Sequence, residues 1–265
     1  MSIDFRPGIT AALPSYLARS GTALGWILFY LLLALSWTGL IWLTAAPEQM
    51  STWRALLDRC LAPAETLAFA PRLGMWALMS LGMMLPTTLP ALQRFADLVQ
   101  NRRDGQAFYR FLSFLSAYVL IWLGFSVLAA GTQTVLARVE WAGADNFLPT
   151  ALFGFAGLYQ FSRLKHACLT RCRHPMTFFM AHWQDGKGGA FHMGLRHGRD
   201  CLGCCWALMA LGFVGGAMSL GWMGLGMVLM VLEKLAGPGR YVTLPLGLVL
   251  ISAAGFALGT AWQGI

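Results

Sequence analysis

The feature that most constrains this chain is a recurrence of apolar runs, each close to 20 residues long, parted by short segments that hold nearly all the charge. A bilayer core about 30 Å thick is crossed by roughly 20 helical residues, and only structures that satisfy every backbone group internally survive there. Seven such runs are legible: Leu24–Ala46, Leu73–Leu92, Phe111–Leu136, Phe147–Leu164, Cys201–Met218, Leu220–Leu235 and Leu244–Trp262. The fifth and sixth form one stretch too long for a single crossing, with Gly215-Gly216 and Ser219-Leu220-Gly221 near its middle. That spacing predicts a tight helical hairpin. The first run follows about twenty mixed residues and is long enough to span, so it is read as a membrane helix and not as a cleavable leader.

Composition agrees with this patterning. Charged residues make up 11% of the 265 positions and hydrophobic ones 57%, against about 25% charged in soluble domains. Thirty glycines and eleven tryptophans suit closely packed helices and interfacial aromatic side chains. The net charge of +8 lies in the connecting segments. It therefore points to lipid headgroups and topology control, with no nucleic-acid partner. With the N-terminus inside, the inner segments carry 15 Lys and Arg residues and the outer ones 4. This is a positive-inside bias. Treating the long run as one span, six in all, weakens that bias without removing it. The expected fold is therefore all-α: a single integral membrane domain over residues 1–265, a polytopic transmembrane helical bundle of about seven spans. Its N-terminus is cytoplasmic, and its expected home is the bacterial inner membrane.

Chemistry concentrates in one cytoplasmic segment, residues 165–205. Five of the six cysteines lie there: Cys168, Cys172, Cys201, Cys204 and Cys205. Cys168 and Cys172 are spaced i, i+4 and share a helical face; Cys201 shares a face with Cys204 and Cys205. Both groups fall at the inner interface, where the cytoplasm keeps thiols reduced. Two thiol pairs at one depth make a soft site of tetrahedral or lower coordination, suited to copper as Cu(I), with zinc as the alternative. Neighbouring Lys165, Arg171, Arg173, Arg196 and Arg199 are expected to lower the thiol pKa values. The competing reading is that membrane helices use Cys as a small apolar residue, which is the favoured reading for isolated Cys60 on the outer side.

All five histidines fall between His166 and His197. His166 and His174 flank the first Cys pair and are the candidate ligands, against an ordinary interfacial role. Met75, Met79 and Met83, like Met223, Met227 and Met230, form stripes at helical spacing. Such thioethers either pass Cu(I) or simply fill irregular packing. Met83, Met84 and Met209 are the candidate supporting ligands, together with Glu233 at the end of the sixth run and Gln160 below Cys168. Pro86 frees a backbone carbonyl and is expected to kink its span. Pro175 to Gly189, rich in Phe and Met, reads as a short interfacial amphipathic helix within residues 164–200, and a second is expected around Trp53-Arg54-Ala55-Leu56-Leu57. No phosphate-binding loop, nucleophile elbow or zinc-protease motif is present, so no catalytic residue is assigned.

Several motifs occur in order: Met83-Met84-Leu85-Pro86; Tyr159-Gln160 with Leu164-Lys165; Cys168-Leu169-x-x-Cys172-Arg173-x-Pro175; Gly203-Cys204-Cys205-Trp206-Ala207-Leu208-Met209; Trp222-Met223; and Glu233-Lys234. Together they resemble the bacterial domain of unknown function 2182 family, whose members are described as metal-binding integral membrane proteins and in some cases as copper chaperones. The resemblance runs from about Met75 to Gly237 and implies metal binding without an established reaction. The family tends to have Thr-Pro before Leu-Lys where this chain has Ser162-Arg163. Losing that proline predicts that the fourth helix continues to Cys168.

The functional expectation is a non-enzymatic, copper-binding membrane protein acting as a chaperone or assembly factor for a membrane metalloenzyme. The alternative is a structural or accessory subunit of a larger membrane complex. A thiol oxidoreductase using Cys201 and Cys204 is disfavoured by the cytoplasmic placement, and a transporter by the lack of an inverted repeat.

Overall fold

The computed structural model describes residues 22–44, 69–100, 105–136, 144–214, 220–237 and 239–263. Cys60, the expected interfacial helix around Trp53–Leu57 and the Gly215–Ser219 part of the hairpin lie outside the described residues. Among those described, every regular element is helical. The helices are α1 (Ala23–Thr44), α2 (Phe69–Gln100), α3 (Ala107–Leu136), α4 (Ala144–Gln160), α5 (Arg163–Arg173), α6 (Pro175–His182), α7 (Gly186–Ala210), α8 (Leu220–Lys234) and α9 (Gly239–Gln263), with a 3-10 turn at Leu211–Phe213.

Among the described residues, four helices are long and apolar enough to cross a membrane: Ala23–Leu43, Phe69–Gln100, Ala107–Leu136 and Tyr241–Gly259. The other apolar runs fold as shorter or more polar elements. α4 has 17 residues and α8 has 15. α7 is long, but it carries Lys187, Arg196, Arg199 and Asp200. Burial separates the long helices by role. In α2, 72% of the apolar window is inside the protein, against 28% for α1 and 22% for α9. α2 is therefore the central post. α1 and α9 turn side chains such as Leu35, Trp42, Val249 and Phe256 outward, and a hydrophobic environment is the natural cover for helices apolar all round.

The main pairings are α3 with α7, α4 with α9, α2 with α3, α1 with α2, and α5 with α7. The α3–α7 pair is close because Gly194 and Gly198 lie four residues apart on one face of α7. A side chain at Gly194 would collide with the Phe114 carbonyl of α3, and one at Gly198 would stand 2.9 Å from Ile121. Small residues at this spacing let helix backbones approach. α2 runs through Pro86 and Pro90 as one helix. Pro86 cannot donate to the Gly82 carbonyl, and the Trp37 indole of α1 takes that acceptor instead at 3.2 Å.

The segment between the fourth and fifth runs departs from expectation. The fourth helix stops at Gln160 and does not continue to Cys168. Ser162 has extended dihedrals (φ −69°, ψ 143°) and its hydroxyl accepts the Lys165 amide at 3.1 Å, so it caps a new helix, α5. Serine is a strong N-cap because its oxygen satisfies an amide that the first turn leaves unpaired. Pro175 then opens α6, a helix of 8 residues with Phe178 and Phe179 buried. α7 begins at Gly186, so Cys201 lies in mid-helix and not at a helix entry.

Candidate metal centre

The five described cysteines are free thiols, and all are buried. They converge because α5 lies across α7, and Gly203 makes the crossing possible. A Cβ at Gly203 would stand 2.7 Å from the Cys168 sulfur. One turn further along α5, Cys172 Sγ meets Cys204 Sγ of α7, the residue next to Gly203, at 4.0 Å. Cys204 Sγ also lies 3.4 Å from Cys205 Sγ and donates to the Cys201 carbonyl at 3.1 Å. Two sulfurs bound to one soft ion stand no more than about 4.6 Å apart, twice a metal–sulfur bond of about 2.3 Å. Both sulfur pairs fall within that reach.

Among the described residues, however, no group of three or more His, Cys, Asp or Glu is arranged to hold a metal ion. The thiols meet in pairs. That geometry bears on the choice of metal, since structural zinc is almost always four-coordinate. Cu(I) takes soft sulfur ligands and accepts fewer of them, so pairs suit it better.

Cys201 has a different neighbourhood. The Lys234 ammonium of α8 donates to its sulfur at 2.9 Å and to Thr87 Oγ1 of α2 at 2.7 Å. The Tyr118 hydroxyl of α3 lies 3.1 Å from the same sulfur and donates to the Met84 carbonyl at 2.9 Å. Four helices thus meet at one thiol, and a positive charge is set against it. Close packing at Gly194 and Gly198 is what brings Tyr118 within reach.

A second polar group braces α5. The Lys165 ammonium pairs with Glu233 Oε2 at 2.8 Å, with both side chains almost fully buried. Arg173 donates through Nε to the Glu233 carbonyl at 2.8 Å and through its terminal nitrogen to Thr243 at 3.2 Å. It therefore ties α5 to the end of α8 and to α9. On the opposite side Arg171 pairs with Asp200 of α7 at 2.9 Å. Tyr159 donates to the Gly203 carbonyl, locking α4 to the same turn of α7.

The expected residues divide as follows. Glu233 is buried and paired within this brace. Gln160 is buried, and neither of its amide atoms has a hydrogen-bond partner among the described residues. His166, on α5, and His174, its C-cap, are both exposed and stand away from the buried thiols. His197 is buried instead, among the Phe114, Tyr118 and Phe178 rings. The expectation that nearby cations lower the thiol pKa values fails at Cys168. Burial, followed by the Asp200 carboxylate, pushes that thiol up and outweighs Arg171 and Arg199.

The methionines join the same interior. Met75, Met79, Met83 and Met84 of α2, Met209 of α7 and Met223 and Met230 of α8 share one core cluster with all five of these cysteines. The stripes on separate helices therefore merge into one sulfur-lined core. Sequence reasoning passed over Tyr118, Thr87 and Asp200, and held Gly203 only as part of a motif and His197 only as one of five histidines. A tyrosine inside an apolar run was the one local signal for the first three. A family model, PpoB2, described as "Copper chaperone", matches residues 73–257. No curated protein and no solved structure matches the chain.

Proposed function

The chain belongs to this copper chaperone family, and from that premise we propose that it is a multi-pass membrane protein that carries Cu(I) and passes it to a membrane metalloenzyme. The cargo rests on thiolates of Cys172, Cys204 and Cys205, with Cys168 and Cys201 alongside and His166 and His174 on the approach. The observation that carries this reading is the 4.0 Å contact between Cys172 and Cys204, thiols that two separate helices supply. A chaperone must hold its ion yet release it, and a low-coordinate thiolate pair leaves room for a partner's sulfur to enter before the chaperone's leaves. No electron moves in that exchange. The thiol protons displaced on loading pass to solvent.

The exposures give the exchange a side. Cys168 and Cys172 are 7% and 8% accessible, whereas Cys201, Cys204 and Cys205 are at 0–1%. A partner would therefore reach the ion over α5, whose outward face carries Arg163 and His166, with exposed His174 at its C-cap. On the inward-N-terminus reading this face is cytoplasmic.

The test is a competition titration of the purified full chain with a chromogenic Cu(I) chelator. Wild type should hold copper that Cys172→Ser and Cys204→Ser each bind at least about tenfold more weakly, a loss of about 1.4 kcal/mol or more. Unchanged affinity in both variants would overturn the thiol site.

A further inference from the structure

A cavity of ≈60 Å³ opens between α2, α7, α8 and α9, beside the thiols but separate from them. Its lining includes Met79, Met83, Met209 and Met223, with Gly226 and Trp222. We propose that this cavity is a second Cu(I) site, built of thioethers, that exchanges copper with the thiol pairs; the proposal rests on the copper-carrying reading above.

The donors are brought together from three helices. Met79 and Met83 lie one turn apart on α2, Met209 near the end of α7 and Met223 on α8. The methyl of Met83 would lie 3.0 Å from a Cβ at Gly226, and that of Met230 3.7 Å from it. The missing side chain at Gly226 therefore leaves the room that the end of Met83 occupies at the cavity wall. The Met79 sulfur lies against Gly212 in the same way, 3.8 Å from where a Cβ would stand. Among the described residues no Asp or Glu lines the cavity, so it lacks the carboxylates by which hard cations are usually held. Thioethers select Cu(I). The volume exceeds the roughly 10–15 Å³ that one water needs, which leaves room for an ion.

The cavity lies one helical turn from the thiols along α7, and a hydrogen-bond chain links it to them from α2. On α7, Met209 follows Cys205 at i, i+4 and shares its face. On α2, Thr87 follows Met83 at the same spacing and holds Lys234, which in turn holds Cys201. A turn is about 5.4 Å, so an ion passes from one ligand set to the other in a single short step. Each Cu–thioether bond that breaks is replaced by a Cu–thiolate bond, copper stays Cu(I), and the thiol proton leaves to solvent. A neutral thioether is the weaker ligand, so the cavity is the lower-affinity station.

The experiment uses the full chain, labelled with selenomethionine, titrated with Cu(I) and read by selenium-edge X-ray absorption alongside chelator competition. A Cu–Se distance is expected, together with a second, weaker equivalent of copper. Met79→Leu/Met83→Leu/Met209→Leu/Met223→Leu, volume-conserving swaps that cores tolerate, should remove both while sparing the tight equivalent. Cys172→Ser/Cys204→Ser should do the reverse, keeping the Cu–Se signal, and this arm decides the matter if the leucine variant does not fold. Absence of Cu–Se scattering in the loaded wild type, or its persistence in a folded leucine variant, overturns the cavity site. Neither result touches the thiol reading, which fails only if the serine variants keep the tight equivalent.

Discussion

Lys165 and Glu233 meet 2.8 Å apart inside the protein, and the value of that contact depends on what replaces it. Removing one partner of a buried pair strands a charge and costs about 3–5 kcal/mol, whereas an apolar pair of similar volume is often neutral. Lys165→Met and Glu233→Leu should each lower the unfolding midpoint in detergent sharply, and the double variant should recover most of the loss. If the double variant were as unstable as the singles, the pair would owe its place to something other than mutual charge compensation. Gly203 gives a second residue-scale prediction. Gly203→Ala would place a methyl 2.7 Å from the Cys168 sulfur, so the thiol must move outward. Faster alkylation of Cys168 than in wild type, measured by mass spectrometry, is the expected outcome; an unchanged rate would show that α5 does not sit on Gly203.

Two elements position the site, and each rests on a small residue. The separation of α5 from α4 depends on the Ser162 cap. Ser162→Ala should cost about 1 kcal/mol, within a range of 0.5–2 for such caps, and amide exchange should quicken in the first turn of α5 and not in α7. The contact of α3 with α7 depends on Gly194, where any side chain meets the Phe114 carbonyl and the Ala117 methyl. Gly194→Val should force the helices apart, costing about 1–3 kcal/mol as an overpacked contact. It should also draw Tyr118 away from Cys201, weakening Cu(I) retention together with stability. Stability lost with copper affinity unchanged would show that Tyr118 does not support the site.

At the scale of the whole molecule the proposed topology is the premise of the redox argument, because thiols stay reduced only on the cytoplasmic side. Reporter fusions at the N-terminus and within residues 101–104 should report the cytoplasm, and fusions within residues 137–143 the opposite side; the reverse pattern would place the thiols in an oxidising compartment. The family match agrees with the copper reading of the sequence, and four helices have the length and apolarity that lipid requires. Those properties were readable in the chain because span length and charge bias are local and additive. The nearness of Cys168 to Cys172 along one helix was readable too, since periodicity sets it. What the sequence determined by itself, then, is the helical class, the apolar runs and the segment in which soft ligands gather. Only the tertiary structure decided which thiols meet, that α5 breaks away at Ser162, that Lys234 touches Cys201, and that four methionines from three helices line one cavity. Those contacts join residues far apart in the chain through helix crossings that glycines permit, and no local period encodes the angle or the depth at which two helices cross.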